Sequence, residues 1–235
     1  MTDTLMHANG FERLDARCLS MLRHWDNLRA GRTVPGRVEI NPADIPQFLS
    51  RICILERPRA GTVRIRLSGA SLSKRMGMEL RGMPFRALFD IDDRAKALDA
   101  AETAITTPAI SILSLDLQRQ FGARHEGQLL ILPLADTRGT LNRAIALYSE
   151  AVVTTALDDL RGRFRISEVW SHDIPEKADL PGLASARALG DAPKAKLVMP
   201  RKTRAPKGPA LARVEARRME HHARPVFQVI EGGKA

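Results

Sequence analysis

The side chains best suited to chemistry in this chain are few and scattered. Of its six histidines, His221 and His222 are adjacent and follow Glu220. Adjacent side chains point apart on any regular element, so the pair does not make a chelating site. His7, His24 and His172 stand alone, and His125 falls in a turn over 122–127, which reads as a solvated loop position. Cys18 lies in a helical pattern and Cys53 in a strand pattern. Two scattered thiols leave a single disulfide open but give neither a disulfide framework nor a metal spacing. They read as small buried hydrophobes in a reducing compartment. A Gly-x-Ser-x-Gly elbow, a phosphate-cradling glycine loop and a paired acid–base constellation are all missing from the sequence. The expectation is a protein that is not an enzyme, with no metal site.

Charge is the other chemical signal. The 235 residues carry a formal charge of +10, and 194–224 hold ten basic residues against two acidic ones. Such a run has three readings: a solvated extension, a binder of nucleic acid or another polyanion through counterion release, or a docking tail for an acidic protein or membrane surface. Phe227 is the one ring in 175–235, which counts against base stacking. The β-prone stretch 225–230 could add to a partner's sheet.

The elements that would position these groups are legible upstream. Phe11, Leu14, Cys18, Met21, Trp25 and Leu28 follow a 3-4-3-4-3 spacing, an amphipathic helix stopped near Gly31. The stripe either packs on the following domain or pairs with a second copy, and these six residues are the candidate homodimer interface. Asn41-Pro42-Ala43-Asp44 opens a short helix reaching about Ser50. A strand over 52–56 and an alternating strand carrying Val63, Ile65 and Leu67 form a hairpin. Short helical pieces at 71–76 and 84–89 precede an Ala-rich helix over 93–106, with Leu98, Ala101, Ala104 and Ile105 inward and Pro108 ending it. Strands follow at 110–120, 127–135 and 142–150, the last two joined by the turn 136–139. Past Glu150 the pattern weakens: 152–160 suits a helix, and 164–170 a short strand or an amphipathic fragment. Residues 175–235 offer too little apolar surface to offset ordering entropy and are expected mostly disordered, with a transient helix at 213–222. With no apolar run of membrane-spanning length and no leader pattern, the expected location is the cytoplasm.

The run Glu79-Leu80-Arg81-Gly82-Met83-Pro84-Phe85-Arg86-Ala87-Leu88-Phe89-Asp90-Ile91-Asp92-Asp93-Arg94 resembles the PAS signature. In that signature a Glu-Leu-x-Gly turn precedes a Phe/Leu pair and an acidic-Asp-Arg helix start. Trp25 with Asp26, Asp44-Ile45-Pro46 and Leu132-Pro133-Leu134 make the chain similar to the alphaproteobacterial family of single PAS-like domains, over about 22–150. The resemblance implies an α+β fold: a PAS-like five-stranded antiparallel sheet with helices on one face. The division expected is an N-terminal helix and linker (1–37), a PAS-like domain (38–150), a weakly structured extension (151–174) and a basic tail (175–235). Gly82 reads as a tight connection, and Asp92 and Asp93 as caps for free amides at a helix start.

The same resemblance implies a sensory or adaptor role in bacterial signalling, through a protein partner. A PAS pocket would lie between sheet and long helix, making Met76, Met83, Phe85, Phe89, Leu98, Ile105, Leu113 and Leu115 its candidate lining, with a filled core as the alternative. No histidine lies within 93–108, and neither cysteine sits in an Asn-Cys-Arg context, so haem and photoactive flavin are not expected. The rival reading is a nucleic-acid-associated regulator using the basic tail.

Overall fold

The structure, a computed structural model, describes residues 11, 14–117, 125–150 and 162–174. Strands β1 (Ile52–Arg59) and β2 (Thr62–Ser68) pair antiparallel as the expected hairpin. A bulge lets Ile54 face Leu67 while Leu55 faces Ile65, so Leu67 turns outward and is 47% exposed, unlike Val63 and Ile65. Helix α2 (Ala70–Met76), single 3-10 turns at Phe85–Leu88 and Ile91–Asp93, and helix α3 (Arg94–Thr106) follow. Gly82 sits at φ +83°, a left-handed conformation that suits glycine, and donates its N–H to the Ile65 carbonyl at 2.7 Å. That bond covers part of the β2 edge. The 41–50 segment forms less helix than expected: Asn41 caps Ala43, but only one 3-10 turn, Pro42–Asp44, results.

Strands β3 (Ala109–Leu117), β4 (His125–Ala135) and β5 (Leu141–Glu150) occupy the expected places. A sixth strand, β6 (Arg165–Asp173), lies in the stretch expected to be a weak extension and pairs antiparallel with β3. The sheet order is β2-β1-β5-β4-β3-β6, antiparallel throughout. The expectation of five strands is therefore corrected to six among the described residues.

Helices also cover both faces. On one side α3 packs over Leu55, Ile65, Leu113, Leu129, Ile131, Ala146 and Tyr148. On the other, helix α1 (Ala16–Arg29) packs over Ile54, Ile112, Leu130, Leu132, Ile145 and Leu147. This is why Leu129–Leu134 reads as an unbroken apolar run, since residues of both parities are buried.

The stripe proposed as a dimer seam is thereby reassigned. Phe11, Leu14, Cys18, Met21 and Trp25 are buried within the chain's own core, and Leu28 packs against its margin. Asp15 accepts from the Cys18 N–H as the N-cap, so Phe11 and Leu14 precede the helix itself. The Phe11 ring stacks on His172 of β6 at 4.4 Å. A helix whose apolar side already covers a sheet face has no stripe left for a second copy. Both thiols are free and lie in the cores on opposite faces, and burial pushes Cys53 up to about 12. Among the described residues no helix is long and apolar enough to cross a membrane. The expectations for 152–160, 213–222, the basic tail and its 225–230 stretch lie outside the described residues.

Candidate functional site

The eight candidate pocket residues do not surround one cavity. Phe85, Phe89, Ile105, Leu113 and Leu115 are buried in the α3-side core, and of these Leu115 also lines a cavity of about 560 Å³ with Gly127, Gln128 and Trp170. Phe85 meets Phe89 edge-on at 5.3 Å, Phe89 meets Phe164 at 5.8 Å, and Phe164 meets Tyr148 at 5.0 Å. These four rings occupy space that smaller side chains would leave open. Phe164 stands just before β6, outside the region the sequence reading assigned to the domain. Met76 and Met83 instead line an edge cleft of about 280 Å³ with Met78 and Leu80. Leu98 lines another, of about 200 Å³, with Arg64 and Arg86.

Polar groups converge at the other end of the ring chain. Gly69 lets α2 start against the turn before β1: its N–H donates to the Ile52 carbonyl at 2.8 Å, and a Cβ there would fall 2.3 Å from the Leu49 carbonyl oxygen. Near the end of α2, Arg75 is only 6% exposed. Its guanidinium stacks on Phe164 at 4.8 Å and Tyr148 at 5.7 Å, and Nη1 donates to the Tyr148 hydroxyl at 3.3 Å. Tyr148 in turn donates to Glu150 Oε2 at 2.8 Å, and Arg51 Nη1 donates to Glu150 Oε1 at 3.2 Å. Burial pushes the Tyr148 phenol up, and of the charges around it Arg75 opposes and Glu150 reinforces the shift, so it stays protonated as a donor. Beside this chain lies a cavity of about 140 Å³ lined by Arg51, Ala70, Ser71, Lys74, Arg75, Tyr148 and Glu150. The cluster contains hydrogen-bond donors, an acceptor and fixed charge, with no thiol or imidazole.

A second polar contact joins the long helix to the edge strand. The 3-10 turn Ile91–Asp93 runs directly into α3, and the Asp93 N–H bonds the Asp90 carbonyl at 3.0 Å. Because that turn extends the helix backwards, the Asp93 carboxylate caps no helix amide, contrary to the expectation. It is 5% exposed, and its Oδ2 accepts from the Ile166 N–H of β6 at 2.9 Å, while Oδ1 accepts from Lys96 at 3.0 Å. Burial favours the neutral acid, but those donors outweigh it and hold Asp93 below its ordinary range. Two backbone bonds run alongside, Phe164 N–H to Leu88 and Asp90 N–H to Phe164, both 2.9 Å. Asp92, the other expected cap, is exposed.

Residues 16–149 match the PAS domain family. The chain belongs to that family. The family places it among sensory signalling domains, and its match stops short of β6. Solved structures similar to this PAS domain include a sensory box sensor histidine kinase from Vibrio cholerae (14% identity, 48% of this chain and 90% of that one, TM-score 0.35). The VqmA dimer of Vibrio cholerae is similar at 14% identity, over 51% of this chain and 56% of that one, with TM-score 0.35. The light-state Aureochrome1 LOV domain is similar at 18% identity, over 52% and 94%, with TM-score 0.33. No curated protein matches the sequence.

The three shorter motifs that carried the resemblance lie together on the α1 face, apart from the 79–94 signature on the other. The Trp25 indole N–H donates to the Pro133 carbonyl at 2.9 Å, so the helix Trp and the Leu-Pro-Leu strand are direct partners. Ile45 is buried in the same core, and Asp26 accepts from Arg29 at 2.7 Å. They brace the α1 face of the PAS domain.

Proposed function

We propose that this PAS domain is a sensory adaptor in a bacterial signalling pathway, acting by contact with a protein partner and catalysing no reaction. The observation that carries the reading is the Asp93–Ile166 bond with the two backbone bonds beside it. Through them the start of α3 and the start of β6 move together. A small shift of α3 over the sheet thus reaches the strand that ends at Asp173 and leads into the C-terminal residues.

The test is quantitative capture of a partner from extracts of the native host, using the full chain as bait. The reading expects a protein retained by the wild type and at least about tenfold depleted on Asp93→Ala, a loss equivalent to ~1.4 kcal/mol. Equal retention by both, with the variant folded, contradicts the reading.

A second reading is favoured by the cation excess at 194–224. In it the tail binds nucleic acid and the PAS domain controls that binding. A salt titration of DNA and RNA binding compares the full chain with one ending at Asp173. Strong, salt-sensitive binding by the full chain alone supports this version; equal binding, or none, rules it out.

A further inference from the structure

We propose that the cavity between α2 and the adjoining ends of β1 and β5 binds a small organic carboxylate, held by Arg75 and Arg51. The argument begins with charge. Two largely buried guanidiniums stand here, with the Arg51 side chain 13% exposed and Arg75 6% exposed as a whole residue. The cavity they line holds one carboxylate, Glu150. Both oxygens of Glu150 are engaged, one by Arg51 and the other by the Tyr148 hydroxyl, and neither bonds Arg75.

What Arg75 does have is a neutral phenol at 3.3 Å and two ring faces, and its Nε is buried with no hydrogen-bond partner among the described residues. A buried guanidinium that bonds no carboxylate directly among the described residues carries a desolvation cost that ring faces only partly offset. A carboxylate is the group whose two oxygens match the guanidinium fork.

The cavity supplies the room. At about 140 Å³ it is large enough for a molecule of a few heavy atoms. Lys74 adds a third cation to its lining and Ser71 a hydroxyl, while Ala70 and Tyr148 offer apolar wall to the carbon skeleton. That mixture suits an organic acid better than a bare inorganic anion. The Gly162 N–H donates to the Arg75 carbonyl at 3.2 Å, where the chain returns toward β6. Occupancy would therefore fix Arg75 and, through it, the approach to that strand. This consequence rests on the sensory reading; the binding itself does not.

The test is calorimetric titration of the full-length wild type at neutral pH with acetate, propionate and succinate, against chloride and phosphate at matched ionic strength. The expected result is saturable binding of at least one of the three carboxylates, weakened about tenfold or more in Arg75→Met, as loss of a charge-assisted hydrogen bond implies. Ala70→Phe places bulk at an exposed position on the cavity wall and is expected to weaken binding likewise, so the test survives if Arg75→Met fails to fold. No saturable binding of any of the three, phosphate binding alone, or equal affinity in the folded variants overturns the proposal. None of these readouts involves a partner protein, so failure here is distinct from failure of the Asp93→Ala capture.

Discussion

The Asp93 carboxylate ties the start of α3 to the edge strand, its Oδ2 accepting from the Ile166 N–H at 2.9 Å. An acid at the start of a long helix is the standard cap, and the sequence offers no reason to suspect otherwise. The 3-10 turn ahead of α3 relieves it of that duty, and the carboxylate reaches a strand 73 residues away instead. Its folded pKa is depressed, so its contribution is present above the ordinary carboxylate range and is lost as pH falls through the lower folded value. Urea unfolding should therefore show Asp93→Asn less stable than wild type by ~1–3 kcal/mol near neutral pH, with the gap shrinking below about pH 4. A gap that is constant down to strongly acid pH would count against the ionised contact. Arg75, in contrast, gave no sequence signal. It sits in a polar, irregular stretch, and only the fold brings it to Tyr148 and Glu150, at the far end of another strand.

At the scale of elements, the hairpin, α3 and strands β3 to β5 were readable because each alternates or repeats over enough residues to show a period. The failures have two causes. The burial pattern of α1 was plain, but a stripe of that width suits a sheet face as well as a second helix. The deciding clue lay elsewhere, in the unbroken Leu129–Leu134 run, which signals a strand buried on both faces and so demands a cover for the second one. The edge strand β6 was faint because, after Phe164, Ile166 is its one fully buried residue, and an edge strand with one wet face carries few apolar marks. The reassignment of α1 has a direct consequence. Met21→Lys should abolish the cooperative thermal transition, because it leaves an unpaired charge in a closed core. Near-UV circular dichroism reads this. A variant that keeps the native spectrum and changes only in mass would restore the dimer seam.

Across the described residues, α1 and α3 cover opposite faces of one sheet, and the edge strand β6 comes after the family's shared region. The ring chain Phe85–Phe89–Phe164–Tyr148 and the Asp93 contact both cross from the shared region to the residues that follow it. Under the proposed sensory reading, these contacts are the route by which a shift of α3 would reach β6. Hydrogen exchange at the Ile166 amide tests that link most directly. In Asp93→Ala the account predicts faster exchange at Ile166, with the β4 and β5 amides unchanged in rate. Unaltered protection at Ile166 would contradict it, because the bond said to join α3 to β6 would then not be holding that strand.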